Sequence, residues 1–206
     1  MAPLSRRRLG LRKPKADITG FPVRRLARRR ELYRAHHRDF GAWWFASDTQ
    51  GRFNLDPPNG TCYLAIDEET ALRERLGPTT GVVSYGWANE TRVSLLAIQR
   101  GGRVANTCHH LATHFGMTRE VATYAGREYR LTRLWANKFH ASGLRGILYE
   151  SRFTTVATPN AYAIFDSEGP KAWPEDPAPS SGVDACRRAG LQVKPPPPLG
   201  TLSVIP

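Results

Sequence analysis

Negative charge is scarce in this chain. Only 18 Asp and Glu stand against 30 Lys and Arg in 206 residues, a formal net charge of +12. Cysteine is scarcer: Cys62, Cys108 and Cys186 lie far apart with no C-x-x-C. An odd, scattered set argues against a disulfide framework and fits reduced thiols in a cytoplasmic protein. No apolar run reaches the roughly eighteen residues a membrane helix needs, so no membrane association is expected. No apolar stretch follows the first basic residues, which argues against a secretory signal. The acid-poor, Arg-rich start imitates an organellar transit peptide, but Pro3, Gly10 and Pro14 interrupt any helix there. The chain also lacks G-x-G-x-x-G, a P-loop, G-x-S-x-G and any recognisable nucleic-acid-binding motif.

What is present describes a folded protein. Hydrophobic residues make up 40% of the chain and aromatics 10%, enough to build one domain with a sizeable core. The positive excess gathers early, in Arg6-Arg7-Arg8, Arg24-Arg25 and Arg28-Arg29-Arg30. A solvated arm, a site for an anionic partner protein and a nucleic-acid contact all fit, and composition does not choose among them. Three segments follow: a basic leader over 1–30 with a short helix near Val23–Leu32, a compact domain over 31–166, and a Pro-rich tail over 167–206. Pro170, Pro174, Pro177, Pro179 and Pro195–Pro198 make that tail extended, a partly ordered appendage or a Pro-rich recognition peptide. A short helix near Val183–Ala189 interrupts it.

Within the domain strands and helices alternate. Turn chemistry at Asp56-Pro57-Pro58-Asn59-Gly60 precedes a strand at Tyr63–Ile66. Asp67 then offers an N-cap, Glu68 and Glu69 favour the positive end of a helix, and Gly77-Pro78 ends it. Val93–Ile98 reads as a strand and Gly101-Gly102 as a turn. Helices are expected from about Val104 to Phe115 and from about Glu128 to Ala141. Gly146–Tyr149 and Ala161–Phe165 read as strands. The mixture indicates an α/β or α+β domain around one central mixed sheet.

Several residues invite chemistry. Arg52, between Gly51 and Phe53, has a planar fork suited to phosphate oxygens, and the glycine admits a ligand to the backbone. Arg34 follows Tyr33 in a strand-like piece. Each arginine alone reads equally well as an ordinary surface cation. Glu74 follows the apolar pair Ala71-Leu72 on its helix; it is either a solvated helix acid or an inward carboxylate able to steady an oxocarbenium-like charge. Ser151 follows the apolar strand Gly146-Ile147-Leu148-Tyr149-Glu150 and reads as a hydrogen-bonding group, since no nucleophile elbow surrounds it. His110 and His114 stand four apart, a zinc-like spacing, but Leu111 occupies the place of the glutamate in H-E-x-x-H, and no metal is expected. Trp43, Trp44, Phe45 and Phe53 are either core or a base-stacking group.

Taken in order, these pieces resemble the RES-domain family, named for its Arg, Glu and Ser. The resemblance runs from about Leu32 to Phe165. Its carriers are Tyr33-Arg34, Gly51-Arg52-Phe53-Asn54, Tyr63-Leu64-Ala65, Glu74, Ser151 and, more loosely, Asn160. Three positions depart from the pattern. Phe53 stands where many members have Trp, Tyr149-Glu150 replaces a Val-Pro before the late serine, and Thr132 is the nearest match to an earlier functional hydroxyl.

The resemblance implies an ADP-ribosyltransferase-like fold and an enzyme that degrades NAD+, many members being bacterial toxins of toxin–antitoxin pairs. Some members act by phosphorolysis, and others resemble transferases that modify a protein. On that basis Glu74, Arg52 and Ser151 are expected to be catalytic. Arg34, Tyr63, Tyr33, Asn160 and Thr132 are expected to bind substrate. NAD+ is the implied substrate, inorganic phosphate a candidate co-substrate, and no cofactor is implied. A helix-turn-helix antitoxin of Xre type is the implied partner, and a homodimer is compatible with the chain. Two rival readings stand beside cleavage of NAD+: ADP-ribosyl transfer to a protein or nucleic acid, and a non-enzymatic nucleic-acid binder acting through the basic leader.

Overall fold

Two distant stretches of the chain form a long antiparallel ribbon that shapes the molecule. In this computed structural model, which describes residues 11–79, 81–124, 129–155 and 158–196, one side of the ribbon is β1 (Val23–Leu26) and β2 (Glu31–His37). The other side is β6 (Thr91–Ala97) and β7 (Gly102–Asn106). β2 pairs with β6 and β1 with β7, and the ribbon bends between them. At the bend Arg29 N–H donates to Ile98 O at 2.8 Å and Ile98 N–H donates to Arg30 O at 2.9 Å. Arg29 takes a positive φ of 65° there.

The middle of the sheet comes from β4 (Asn59–Ala65), β8 (Gly146–Tyr149) and β9 (Ala161–Ser167). With β11 (Ser180–Ser181) at the far edge, the eight-stranded order is β1-β7-β8-β9-β4-β2-β6-β11. β7 and β8 run parallel and the other pairs antiparallel, so the sheet is mixed. The two halves of the ribbon therefore flank the same three central strands from opposite sides. The sheet curls over Leu26, Leu32, Leu64, Leu96, Val104 and Ile164, which share one core with Trp43 and Phe45. Trp43 and Phe45 belong to the segment of β3 (Trp44–Phe45).

The outer face packs on α4 (Arg130–Ala141) through Trp135, Phe139, Ile147 and Phe165. Leu11, Ile18 and Phe21 join the same core; a fully buried large apolar side chain contributes roughly 1.5–3 kcal/mol. A third cluster joins α1 (Glu68–Leu76) to α5 (Gly182–Arg188) through Ala71, Leu72, Val93, Ala185 and Cys186. Smaller elements are β5 (Val82–Ser84), α2 (Tyr85–Asn89), a 3-10 helix at His110–Phe115, α3 (Glu120–Thr123), β10 (Gly169–Pro170) and β12 (Gln192–Lys194).

Local cues explain several elements. Asp67 Oδ1 accepts from Thr70 N–H at 2.7 Å and caps α1, while the Gly77 N–H closes it onto Arg73 O; such a cap contributes about 1 kcal/mol. One expected helix is a strand instead and another is so in part. Residues 23–32 enter the ribbon, because pairing with β7 and β6 outweighs the high helix propensity of Arg, Leu and Ala. In the expected helix over 104–115, the start is β7, ended where Thr107 Oγ1 donates to Leu148 O at 3.0 Å. Only His110–Phe115 is helical, and it is 3-10. The expected start of α4 at Glu128, the arginines at 6–8 and Pro197–Pro198 lie outside the described residues.

The sheet also reaches beyond 31–166 at both ends, through β1 and β11. Residues 167–196 are woven in and do not trail as an appendage. β10 pairs with β3, Trp43 Nε1 donates to Pro174 O at 2.9 Å, and Asp176 accepts from Leu95 N–H at 2.8 Å. No helix among the described residues is long and apolar enough to cross a membrane.

Candidate active site

β2 and β4 meet at a single aligned pair, Tyr33 with Ala65, while their other neighbours pair along the whole strand. The sheet therefore parts between them, and α1 lies beside the gap. A cavity of about 340 Å³ opens there. Its lining includes Arg34, Arg52, Tyr63, Glu74, Arg75, Tyr129, Tyr149 and Arg152.

Among the described residues Glu74 is the one carboxylate in the lining. Ser151 Oγ donates to its Oε1 at 2.5 Å and the Tyr149 phenol donates to its Oε2 at 3.1 Å. Residues two apart on an extended chain share a face, which is how both hydroxyls, one at the end of β8 and one just beyond it, reach a single carboxylate on α1. Burial raises the Tyr149 phenol well above its ordinary range, and the Glu74 charge raises it further, so it stays protonated and donates. Tyr149 is also stacked at a tilt on Phe53, with ring centroids 5.0 Å apart.

Behind this pair sits Asn160, fully buried. Its Oδ1 accepts from Ser151 N–H at 2.8 Å, and its amide donates to Thr154 Oγ1 at 2.9 Å and to Thr70 Oγ1 at 3.4 Å. Thr70 in turn donates to Asp67 Oδ2 at 2.8 Å. Asn160 thus ties the loop that carries Ser151 to the N-terminus of the helix that carries Glu74.

Tyr63 and Arg52 form the opposite wall. The Tyr63 hydroxyl accepts from Phe53 N–H at 2.8 Å and donates to Asn54 Oδ1 at 2.9 Å. Burial pushes this phenol up as well, which keeps it a neutral donor. Arg52 is 7% exposed, and its Nε is buried with no hydrogen-bond partner among the described residues. Its guanidinium lies 5.9 Å from the Tyr129 ring centre. Arg152 repeats the pattern: its Nε is buried and unpartnered, and its Nη2 reaches the Tyr129 hydroxyl at 3.5 Å. Buried guanidinium donors without partners are costly unless an anion takes them.

Thr132 and Gly51 are structural. Thr132 Oγ1 lies 2.6 Å from Arg52 O and 2.9 Å from Tyr129 O, so it clamps the Gly-Arg-Phe turn to the start of α4. A Cβ at position 51 would lie 2.1 Å from Asn54 Oδ1. The glycine there makes room for Asn54, and it also lines the cavity.

The residues expected to form a site are therefore divided by the structure. Arg34, Arg52, Tyr63 and Glu74 line one cavity, Ser151 bonds the carboxylate, and Asn160 and Thr132 stand one layer behind. Tyr33 falls outside the lining and packs against the cluster around α1. Arg34 sits at the gap, but its Nη1 is already engaged by Trp44 O at 2.8 Å and by Cys62 Sγ. Burial raises the Cys62 thiol above its ordinary value, so it is neutral despite that arginine.

Sequence reasoning missed Arg75, Tyr129, Tyr149 and Arg152. Arg75 and Arg152 directly follow Glu74 and Ser151, and that adjacency was the available signal. Arg75 Nε donates to Thr91 Oγ1 at 3.2 Å and its guanidinium lies over Trp87. The aromatic group is largely core, with Trp43, Phe45 and Phe53 buried and Trp44 exposed. His110 and His114 lie on the 3-10 helix, where the α-helical spacing that would align them does not hold. Among the described residues no group of three or more His, Cys, Asp or Glu side chains is placed to hold a metal ion.

The arrangement gathers four arginines around one carboxylate that is oriented by two hydroxyls. It can hold an anion near a fixed negative oxygen, and its volume falls in the range of small-molecule sites. Comparison with known proteins agrees on the architecture. One solved structure, from the M. tuberculosis MbcT–MbcA toxin–antitoxin complex, is similar at a TM-score of 0.54. It is 11% identical, and the match covers 76% of this chain and 87% of that one. At that identity the likeness concerns the fold. No curated protein sequence matches the chain. The RES domain matches residues 31–185, a span that contains Arg34, Arg52, Glu74 and Ser151 and takes in the strand β11 beyond the central domain; the chain belongs to the RES domain family.

Proposed function

We propose that this protein cleaves the nicotinamide–ribose bond of NAD+ and serves as the toxin of a toxin–antitoxin pair. The observation that carries the reading is Glu74, a carboxylate fixed by Ser151 and Tyr149 and surrounded by arginines. In the reaction the C–N bond breaks and its electron pair leaves with nicotinamide, which becomes neutral. Positive charge develops on the ribose ring, and a carboxylate held in place stabilises it without having to reorganise. The two hydroxyl donors keep the carboxylate in one orientation. Arg52 and Arg152 offer their unpartnered Nε–H groups to the pyrophosphate or to an incoming inorganic phosphate. Tyr63 packs along the ribose.

A phosphate oxygen adding to the sugar gives a phosphorylated ADP-ribose; water gives ADP-ribose and a proton. A neutral leaving group asks for no cofactor, so NAD+ and phosphate suffice as substrates. This chemistry suits an ADP-ribosyltransferase-like arrangement, in which the parted sheet is the substrate cleft. The partner we expect is a helix-turn-helix antitoxin of Xre type that covers the cavity mouth.

The test is nicotinamide release from NAD+, followed by chromatography with and without inorganic phosphate. Release that depends on phosphate supports phosphorolysis. Release without that dependence points to hydrolysis, or to transfer if labelled NAD+ marks a macromolecule. No release under either condition refutes the proposal.

A further inference from the structure

We propose that the bent end of the ribbon is a binding face for the phosphate backbone of duplex nucleic acid. It is separate from the cavity, and the inference does not depend on the NAD+ reading. β1 is an edge strand. It carries Arg24 and Arg25, whose side chains turn to opposite faces of the sheet, and the bend that follows carries Arg28, Arg29 and Arg30. Arg25 stands directly opposite Arg103 on β7. Like charges opposed across two strands are destabilising, so this pair is held at a cost.

Edge protection does not account for it. A charge or two on the outer strand is enough to discourage edge pairing, and Arg103 is on the inner one. Nor are these cations neutralised. None of Arg24, Arg25, Arg28, Arg29, Arg30 and Arg103 appears in an ion pair among the described residues. The neighbouring arginines are treated differently: Asp166 takes both Arg100 at 3.1 Å and Arg145 at 3.2 Å. From residue 11 to residue 30 the only acid is Asp17.

The kind of partner follows from what the face omits. Protein interfaces are built around an apolar centre, often aromatic. On β1 and β7 the one exposed large apolar side chain is Val23. No aromatic side chain is exposed there to stack on an unpaired base. Arg30 lies over the Tyr162 ring at 5.4 Å; the remaining guanidinium groups, without apolar anchors, fit phosphates, which need charge and hydrogen bonds alone. The duplex is expected to be held without sequence preference.

The experiment uses the full chain and a fluorescent 20-base-pair duplex, with anisotropy measured as salt is raised from about 50 to 200 mM. Binding should weaken linearly in log–log form. Each arginine that neutralises a phosphate contributes about 0.9 to the slope. The triple variant Arg25→Ser, Arg28→Ser, Arg103→Ser should reduce the slope by about 2.7, so its affinity falls about 40-fold less than wild type over that range. These residues are exposed and lie away from the cavity, so nicotinamide release should match wild type, and Tm should rise slightly because the Arg25–Arg103 repulsion is gone. An unchanged slope overturns the proposal, as does failure of the wild-type chain to bind at the lowest salt. Polyglutamate that displaces the duplex at equal charge concentration also overturns it, because the face then prefers an acidic protein. Loss of NAD+ cleavage in the wild-type chain would sink the cavity assignment and leave this result standing.

Discussion

Replacing Asn160 with alanine gives the sharpest test of how the site is held. Asn160 is fully buried and makes three side-chain hydrogen bonds, to Ser151 N–H, Thr154 Oγ1 and Thr70 Oγ1. Alanine leaves the Ser151 N–H buried without an acceptor, a cost of about 1–3 kcal/mol. The two threonine hydroxyls lose a donor but can turn to other partners, so they add roughly 0.5–1 kcal/mol. The space of the missing amide adds a smaller cavity cost. The expected total is about 3 kcal/mol, or roughly 6–12 °C in Tm for a chain of this size. Urea and thermal denaturation at neutral pH measure it. Because Asn160 is absent from the cavity lining, turnover should fall as Ser151 loses its position, while KM for NAD+ changes by less than about twofold. A stability change under about 0.5 kcal/mol refutes the reasoning. A raised KM with intact stability would make Asn160 a substrate contact.

Three further outcomes are expected. Glu74→Gln keeps the shape of α1 but removes the charge, so turnover should drop about 10²–10³-fold with unchanged melting; activity within a few-fold of wild type excludes an electrostatic role. Arg52→Lys keeps a charge and loses the fork, and should raise KM for NAD+ about tenfold or more in steady-state kinetics; an unchanged KM removes Arg52 from the anion site. His36 Nδ1 faces His37 O and Phe40 O, and its Nε2 bonds Ser94 Oγ at 2.9 Å. Burial holds its pKa below the ordinary 6.5, opposed by those backbone bonds and aided by the Arg34 charge. The unfolded chain therefore takes up the proton first, and stability should fall as pH drops below 6.5 towards the folded value. Urea midpoints between about pH 8 and pH 5 should show a shallower acid slope in His36→Gln; an equal slope shows that His36 is not coupled to folding.

Elements with complete local signals were readable in advance. α1 has its cap at Asp67, acids in its first turn and Gly77 at its end, and it forms as expected. β8 and β9 are short apolar runs flanked by turn residues and form as strands. Residues 23–32 and 104–107 carried no such signal. Their strand state comes from pairing within the ribbon with partners about 65 to 82 positions away in sequence, and propensity does not see a distant partner. The tail misled for the same reason: its prolines read as extended chain, which is correct locally, but the core under Trp43 and the edge of β6 hold it in place.

For the site, the amino-acid order by itself determined the residue types and the family: an arginine in a Gly-Arg-aromatic turn, a glutamate on a capped helix and a serine after an apolar strand. Which of them meet was decided by the tertiary structure alone. Glu74, Tyr149 and Ser151 come together because α1 lies beside a gap that exists only where β2 and β4 stop pairing. The same geometry turns Arg34 towards Trp44 O and Cys62 while leaving Arg52 and Arg152 with free donors. Side-chain type is a local property of the sequence, whereas direction, burial and the supply of partners depend on which strands lie side by side.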